Sequence, residues 1–266
     1  MKICGISHVG NSRANQEDSF LVGDKYLDLN TMKKISEVSQ ASSAVYFNSE
    51  TDTSGTLLAV SDGMGGHSSG EVASSLSVKY LAERYLRIIA GGKDELLRAI
   101  TELNQGVLKV SREHAEYHGM GATLCGFLFR ERNFFGFNIG DSRLYRYSGG
   151  VLLQLSKDHT EGQRLVDLNL LTEEELGTFP RRKAIYKCIG LHSDLVADVF
   201  DILPPEKGTI FLLCTDGLTD ALTDKEIREI LACDVSLKEK SEELLRLALG
   251  RNLGRGDNIT ILLAEF

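Results

Sequence analysis

The chain has 266 residues, 42% of them hydrophobic and 26% charged, which suits a globular protein with a sizeable buried core. Its formal charge of −8 argues against a general binder of nucleic acid or anionic membranes, either of which needs a basic face. No apolar run is long enough to span a bilayer, and the start Met1-Lys2-Ile3-Cys4-Gly5 lacks a signal-peptide core, so a cytoplasmic protein is expected.

In chain order, Lys2 to Val9 reads as a strand. The polar loop Arg13-Ala14-Asn15-Gln16-Glu17-Asp18 then feeds a second strand. Residues 24–55 are polar and irregular, with only Ala44 to Phe47 strand-like, and are expected to form an elaborated loop or hairpin. The apolar run Leu57 to Ser61 predicts a buried strand ending on Asp62. The glycines Gly63, Gly65 and Gly66 follow it, as a tight loop with close backbone approach requires. Helical spacing begins near Gly70, and a second helix is predicted from about Asp94 to His118.

Strands at Ala122 to Phe129 and Asn133 to Ile139 are joined by a charged turn. The latter leads into Gly140-Asp141, and a further pair flanks Ser148-Gly149-Gly150. A mixed segment, about 157–190, holds a helix opened by a Thr172/Glu175 capping box and the basic run Arg181-Arg182-Lys183. The most apolar strand, Thr209 to Thr215, ends on Asp216-Gly217. Thr223 and Glu226 box another helix, and a last helix is predicted to stop at Gly250. Gly256-Asp257-Asn258 opens the final strand. Strands and helices are segregated rather than alternating, which predicts antiparallel sheets with helices outside.

Aspartates thus recur at the ends of buried strands: Asp18, Asp62, Asp141, Asp216 and Asp257. Carboxylates around glycine loops suit hard divalent cations such as Mg²⁺ or Mn²⁺. Zinc fits less well, since His is sparse and no Cys or His spacing matches a zinc site. Two such ions about 4 Å apart hold a water as hydroxide and grip phosphoryl oxygens, which is the chemistry of phosphate-ester hydrolysis. The five cysteines are scattered and odd in number. Cys125, Cys188 and Cys214 read as core residues, and none heads a Cys-x5-Arg phosphate cradle.

The ordered set Gly10 to Asp18, Asp62-Gly63-Met64-Gly65-Gly66-His67-Ser68-Ser69-Gly70-Glu71, Gly121-Ala122-Thr123, Asn138-Ile139-Gly140-Asp141-Ser142-Arg143, Asp158-His159-Thr160, Thr215-Asp216-Gly217 and Gly256-Asp257-Asn258 resembles the metal-dependent protein phosphatases (PPM, type 2C), and more closely their bacterial branch. The resemblance covers nearly all of the chain except residues 24–55. It implies one α+β domain over residues 1–266, a four-layer αββα sandwich of two antiparallel sheets flanked by helix pairs, with 24–55 as an insert and about 157–190 as a flap.

It also implies residue roles. Asp62 bridges two Mn²⁺ or Mg²⁺ ions, the Gly63 carbonyl binds one, Asp216 and Asp257 bind the other, and Asp18 acts through a metal-bound water. Asp141, with Asp216, holds a weaker third ion. Arg13 takes the substrate phosphate, for which a guanidinium fork suits paired oxygens, and His67 is the candidate general acid.

The implied activity is hydrolysis of phosphoserine and phosphothreonine in proteins by a metal-bridging hydroxide. The substrates would be products of a serine/threonine kinase, with a monomeric enzyme and no nucleic-acid or membrane partner. The competing readings are a catalytically silent regulatory or binding protein on the same fold, and a phosphatase of sigma-factor pathways. For single residues, Glu17 reads equally as a solvated neighbour of Asp18, His67 as a helix cap, His159 as a structural loop residue and Arg143 as the partner of a nearby acid or backbone carbonyl. Arg181 and Arg182 read most simply as a solvated face, or, on a flap, as a contact for acidic or phosphorylated substrate.

Overall fold

The computed structural model describes residues 1–37, 44–50, 55–65, 69–251 and 256–266. In chain order they form β1 (Lys2–His8), β2 (Asp18–Val22), β3 (Lys25–Tyr26), α1 (Leu29–Glu37), β4 (Ala44–Glu50), β5 (Gly55–Met64), α2 (Gly70–Glu83) and α3 (Tyr85–Glu113). There follow β6 (Gly121–Ala122), β7 (Leu124–Arg130), β8 (Asn133–Ile139), β9 (Arg143–Ser148), β10 (Val151–Gln154), α4 (Glu161–Asp167) and α5 (Glu173–Leu176). The last are β11 (Asp198–Ile202), β12 (Ile210–Cys214), α6 (Asp216–Thr219), α7 (Asp224–Leu231), α8 (Leu237–Arg251) and β13 (Ile259–Glu265).

Two antiparallel sheets result, one in the order β10-β9-β12-β13-β1-β4 and the other β11-β8-β7-β5-β2-β3, with β6 paired to β5. Their side-chain alternation defines three packed interfaces. Leu58 and Val60 of β5, with Phe127, Phe211, Leu213 and Leu262, fill the space between the sheets. Leu57 and Ala59 face the other way, onto α2 and α3 through Val78, Leu81, Leu96 and Ile100. On the far side Leu212, Ile261 and Leu263 pack on α7 and α8 through Ile227, Leu231 and Leu244. The layers therefore run helix, sheet, sheet, helix. The central strands carry short continuous apolar runs, such as Leu57 to Val60 and Ile210 to Cys214, because both of their faces are covered.

Several boundaries differ from expectation. Within α3 the φ of 66° and ψ of −141° at Gly92 break the helix in two: a first segment starts at Tyr85, and the second opens just after Gly92, beside the expected Asp94. The segment read as loop around 24–55 contains the short strand β3 and the helix α1, while the strand-like Ala44 to Phe47 does form a strand, β4, at the edge of the first sheet, paired to β1 from Lys2↔Glu50 to His8↔Ala44. Gly250 lies inside α8 and does not end it. The capping boxes at Thr172/Glu175 and Thr223/Glu226 both form. Cys4, Cys125, Cys188 and Cys214 are buried free thiols, and Cys233 is exposed. Among the described residues no helix is long and apolar enough to cross a membrane.

Candidate active site

Five elements from the two sheets deliver acids to one end of the sandwich. Asp18 opens β2 and lies directly opposite Asp62 of β5. Asp141 follows β8 through Gly140 (φ 99°), and Asp216 begins α6 straight after β12. Asp257 precedes β13. A cleft of about 380 Å³ gathers Arg13, Asp62, Gly63, Asp141, Asp216 and Asp257 on its walls. Asp18 is fully buried beside it and does not form part of the wall. His67 lies outside the described residues.

The loops are held by backbone fit and by short polar braces. A Cβ on Gly63 would lie 2.0 Å from the Gly70 carbonyl oxygen, so the turn from β5 into α2 admits only glycine there. Thr123 clamps Asp62 from both sides: its backbone N–H donates to the Asp62 carbonyl (2.9 Å) and its Oγ1 accepts from the Asp62 N–H (2.9 Å). The same hydroxyl lies 2.6 Å from Ser142 Oγ, next to Asp141. Asn258 ties the opposite wall together. Its Nδ2 donates to the carbonyls of Val9 (2.8 Å) and Asn15 (3.0 Å), and its Oδ1 accepts from the Glu17 N–H (2.7 Å).

Electrostatically the cluster is strained. Burial first, then the charge of Asp18 and of Asp216, pushes the Asp62 carboxyl well above the usual range. Asp18 is pushed up to about 7 by burial, against the hydrogen bond from Thr215 Oγ1 to its Oδ2 (2.7 Å). Asp141 rises to about 6 through burial and Asp158, and Asp216 rises through burial and Asp141. Arg13 donates from Nη2 to Asp257 Oδ2 at 2.6 Å, and that bond raises its own already high pKa.

These residues fit divalent cations. Asp18 Oδ1 and Asp216 Oδ1 are buried acceptors with no hydrogen-bond partner among the described residues, and oxygens deprived of donors amid other acids suit a hard cation. Among the described residues no three His, Cys, Asp or Glu side chains yet converge as a complete ligand set. Asp257 Oδ2 is taken up by Arg13, and Asp18 Oδ2 by Thr215.

The structure adds residues that sequence reasoning left out. Glu17 lines the cleft and is pushed up to about 7 by burial and by Glu71. Lys183 and Ile185 reach the same cleft from the segment after α5; Lys183 also pairs with Asp220. The basic run at 181–183 was the available signal, but it reads as surface. Arg143 grips Asp158 in a fork (Nη2–Oδ2 2.7 Å, Nε–Oδ1 3.0 Å), as the sequence suggested. His159 is buried. Its Nδ1 accepts from the Gly140 N–H (3.0 Å) and its Nε2 meets Asp198 Oδ2 (3.1 Å), so it supports the turn that carries Asp141.

Known proteins share this sequence and arrangement. The family model described as Protein phosphatase 2C matches residues 44–251. Serine/threonine phosphatase stp of Listeria monocytogenes is 32% identical over 214 residues, spanning 79% of this chain and 84% of that protein. Serine/threonine protein phosphatase PstP of Mycobacterium tuberculosis is 36% identical over 212 residues, spanning 79% of this chain and 40% of that protein. The solved S. agalactiae serine/threonine phosphatase superposes with a TM-score of 0.80 at 26% identity, covering 99% of this chain and 98% of that one. The solved M. tuberculosis PstP/Ppp does so with 0.78 at 30% identity, covering 100% and 99%. With a family match across most of its length, and relatives and folds that agree with it, the chain belongs to the protein phosphatase 2C family.

Proposed function

We propose that this chain is a metal-dependent protein phosphatase that hydrolyses phosphoserine and phosphothreonine. The observation that carries the reading is the junction of five aspartates from both sheets beside a single cleft, with buried oxygens of Asp18 and Asp216 left without donors. A silent relative has no reason to retain so costly a set of acids.

Asp62, the Gly63 carbonyl, Asp216 and Asp257 would hold two Mn²⁺ or Mg²⁺ ions, and Asp141 with Asp216 a weaker third. Asp18 would act through an intervening water. Bound there, such ions supply Lewis acidity toward phosphoryl oxygens and lower the pKa of a water toward neutrality.

The chain's own residues do the rest. Arg13, on the cleft wall, orients the phosphate by its guanidinium fork. Asn258 and Thr123 fix the loops that carry Glu17 and Asp62, so the acids need not reorganise during the reaction. His67 would give a proton to the serine or threonine oxygen as its bond to phosphorus breaks and water's oxygen takes that place. The substrates are phosphorylated proteins made by a serine/threonine kinase, and the enzyme acts as a cytoplasmic monomer.

The test is turnover of p-nitrophenyl phosphate and a phosphothreonine peptide with Mn²⁺, with chelator, and by Asp216→Ala. Activity is expected only with metal and is nearly lost in the variant. Turnover insensitive to chelator removes the mechanism.

A further inference from the structure

The turn that bears Gly63 is supported from a side that faces away from the acids. Among the described residues, β6 is the only strand opposite Gly63 and Met64, through Gly63↔Ala122 and Met64↔Gly121. Ala122 exchanges both of its backbone bonds with Ile189. Its N–H donates to the Ile189 carbonyl (3.1 Å), and its carbonyl accepts from the Ile189 N–H (2.8 Å). Ala122 therefore braces Gly63 without claiming the Gly63 carbonyl, as in a pair of an antiparallel ladder that exchanges no bonds.

Ile189 and Gly190 belong to no helix or strand of their own. Asn104 of α3, only 1% exposed, fixes them with both ends of its amide. Its Oδ1 accepts from the Gly190 N–H (2.8 Å), and its Nδ2 donates to the His192 carbonyl (2.7 Å). Val107, one turn further along α3, closes the other side. Gly190 has φ 83°, and a Cβ there would lie 2.8 Å from Val107 Cγ1 and 2.8 Å from the Met120 carbonyl oxygen, so only glycine fits. Ser111, a turn beyond, accepts through Oγ from the Gly119 N–H (3.1 Å), just ahead of β6. Asn104, Val107 and Ser111 share one face of α3, and that face holds the chain on both sides of β6.

We propose that Asn104 is a positioning residue for the metal site: through Gly190, Ile189 and Ala122 it holds Gly63 in the turn whose carbonyl takes a cation. Asn104 lines no part of the cleft and acts only through these contacts. A carboxylate ligand can re-aim by rotating its side chain, whereas a carbonyl ligand is aimed by the backbone alone. A shift at Ala122 is therefore passed to the ligand, and outer supports of this kind set metal affinity. The proposal rests on the phosphatase reading above and adds to it a residue that tunes the affinity for the ion from α3.

The experiment is calorimetric titration of the metal-stripped full chain with Mn²⁺. Asn104→Leu keeps the bulk of the side chain, loses both hydrogen bonds, and is expected to weaken binding about tenfold. Asn104→Asp keeps an acceptor for the Gly190 N–H and is expected to lose less than about threefold. Leu245→Ala, in the core under α8, lowers Tm without touching this chain of contacts and is expected to bind Mn²⁺ as the wild type does. In saturating Mn²⁺, kcat of Asn104→Leu on p-nitrophenyl phosphate is expected to return to within about threefold of wild type, since Asn104 meets neither ion nor substrate. Wild-type affinity in folded Asn104→Leu, an equal loss in Leu245→Ala, or a kcat that stays low in saturating metal overturns the proposal and leaves the phosphatase reading intact. If Asn104→Leu does not fold, Gly190→Ala strains the same link from the loop side and decides: about tenfold weaker binding supports the proposal, and unchanged affinity overturns it. A wild type that binds no Mn²⁺ overturns the metal-dependent reading and this one together.

Discussion

Asp18 and Asp62 are direct cross-strand partners, the first residue of β2 set opposite a residue near the end of β5. Directly opposed side chains in an antiparallel pair lie about 5 Å apart at Cβ, where like charges repel. The sheet register itself therefore builds the repulsion, and both carboxyls stand above their usual range, driven chiefly by burial.

That repulsion predicts how metal and pH act together. The unfolded carboxyls titrate near 4, whereas Asp18 is pushed up to about 7 and Asp141 to about 6. Between those values the metal-free fold binds more protons than the unfolded chain. The cluster's contribution to stability therefore falls as pH rises through about 4 to 7. Cations need the deprotonated form and relieve the repulsion. The rise in Tm on adding saturating Mn²⁺ is expected to be larger at pH 7.5 than at pH 5, and Asp62→Asn is expected to shrink the difference. Equal shifts at both pH values would rule this out.

Asn258 gives a second prediction. Its amide makes three hydrogen bonds, to Val9, Asn15 and Glu17, joining segments that are far apart in sequence. Asn258→Ala leaves two carbonyls and one N–H unpaired and is expected to cost about 3 kcal/mol in urea unfolding. Activity should fall with metal affinity, because Asp257 and Glu17 lose their common support. A variant that unfolds at the wild-type urea midpoint would contradict this.

His159 offers a pH effect of the opposite sign. Burial outweighs the pull of Asp198 and holds its pKa below the usual value, and Nδ1 must stay bare to accept from the Gly140 N–H. The unfolded chain takes up this proton near pH 6.5 while the fold resists it. Stability from this residue is complete above that pH and is lost as pH falls below it. His159→Gln should reduce the stability difference measured between pH 7.5 and pH 5.5 in saturating metal. An unchanged difference would show that some other group is responsible.

The proposed acid, His67, is tested by leaving groups. His67→Ala should slow phosphothreonine peptides about a hundredfold but p-nitrophenyl phosphate much less, because nitrophenolate departs without a proton. Equal losses on the two substrates would remove that role.

Much of the frame was legible because burial wrote it plainly. β12 is apolar throughout, and β5 and β13 carry the runs Leu57 to Val60 and Ile261 to Ala264, since both faces of each strand are covered, and the acids stand beyond the ends of such runs. Helix α1 was not legible. It buries only Met32 and Ile35, and its start is set by Asp28 Oδ1, which accepts from the N–H groups of Asn30 (2.9 Å) and Thr31 (3.1 Å) in an otherwise polar stretch. β11 escaped for a similar reason, as an edge strand with one buried residue. Glycine was read correctly at one end only: Gly92 breaks the helix just ahead of the expected start near Asp94, whereas Gly250 sits inside α8. In the site, the acids announced themselves one by one. Braces such as Asn258 and Thr123 did not, because their partners come from distant parts of the chain.

Asp18, Asp62 and Asp141 ride on one sheet and Asp216 and Asp257 on the other, so the distance across the cleft is the thickness of the hydrocarbon between them. Phe127 and Phe211, whose rings meet at 5.1 Å, act as a spacer for chemistry they never touch. A bulkier or slimmer side chain there would detune the gap between the two halves of the site while the protein still folded. Evolution can thus adjust this catalyst from its greasy interior as readily as from its acidic rim.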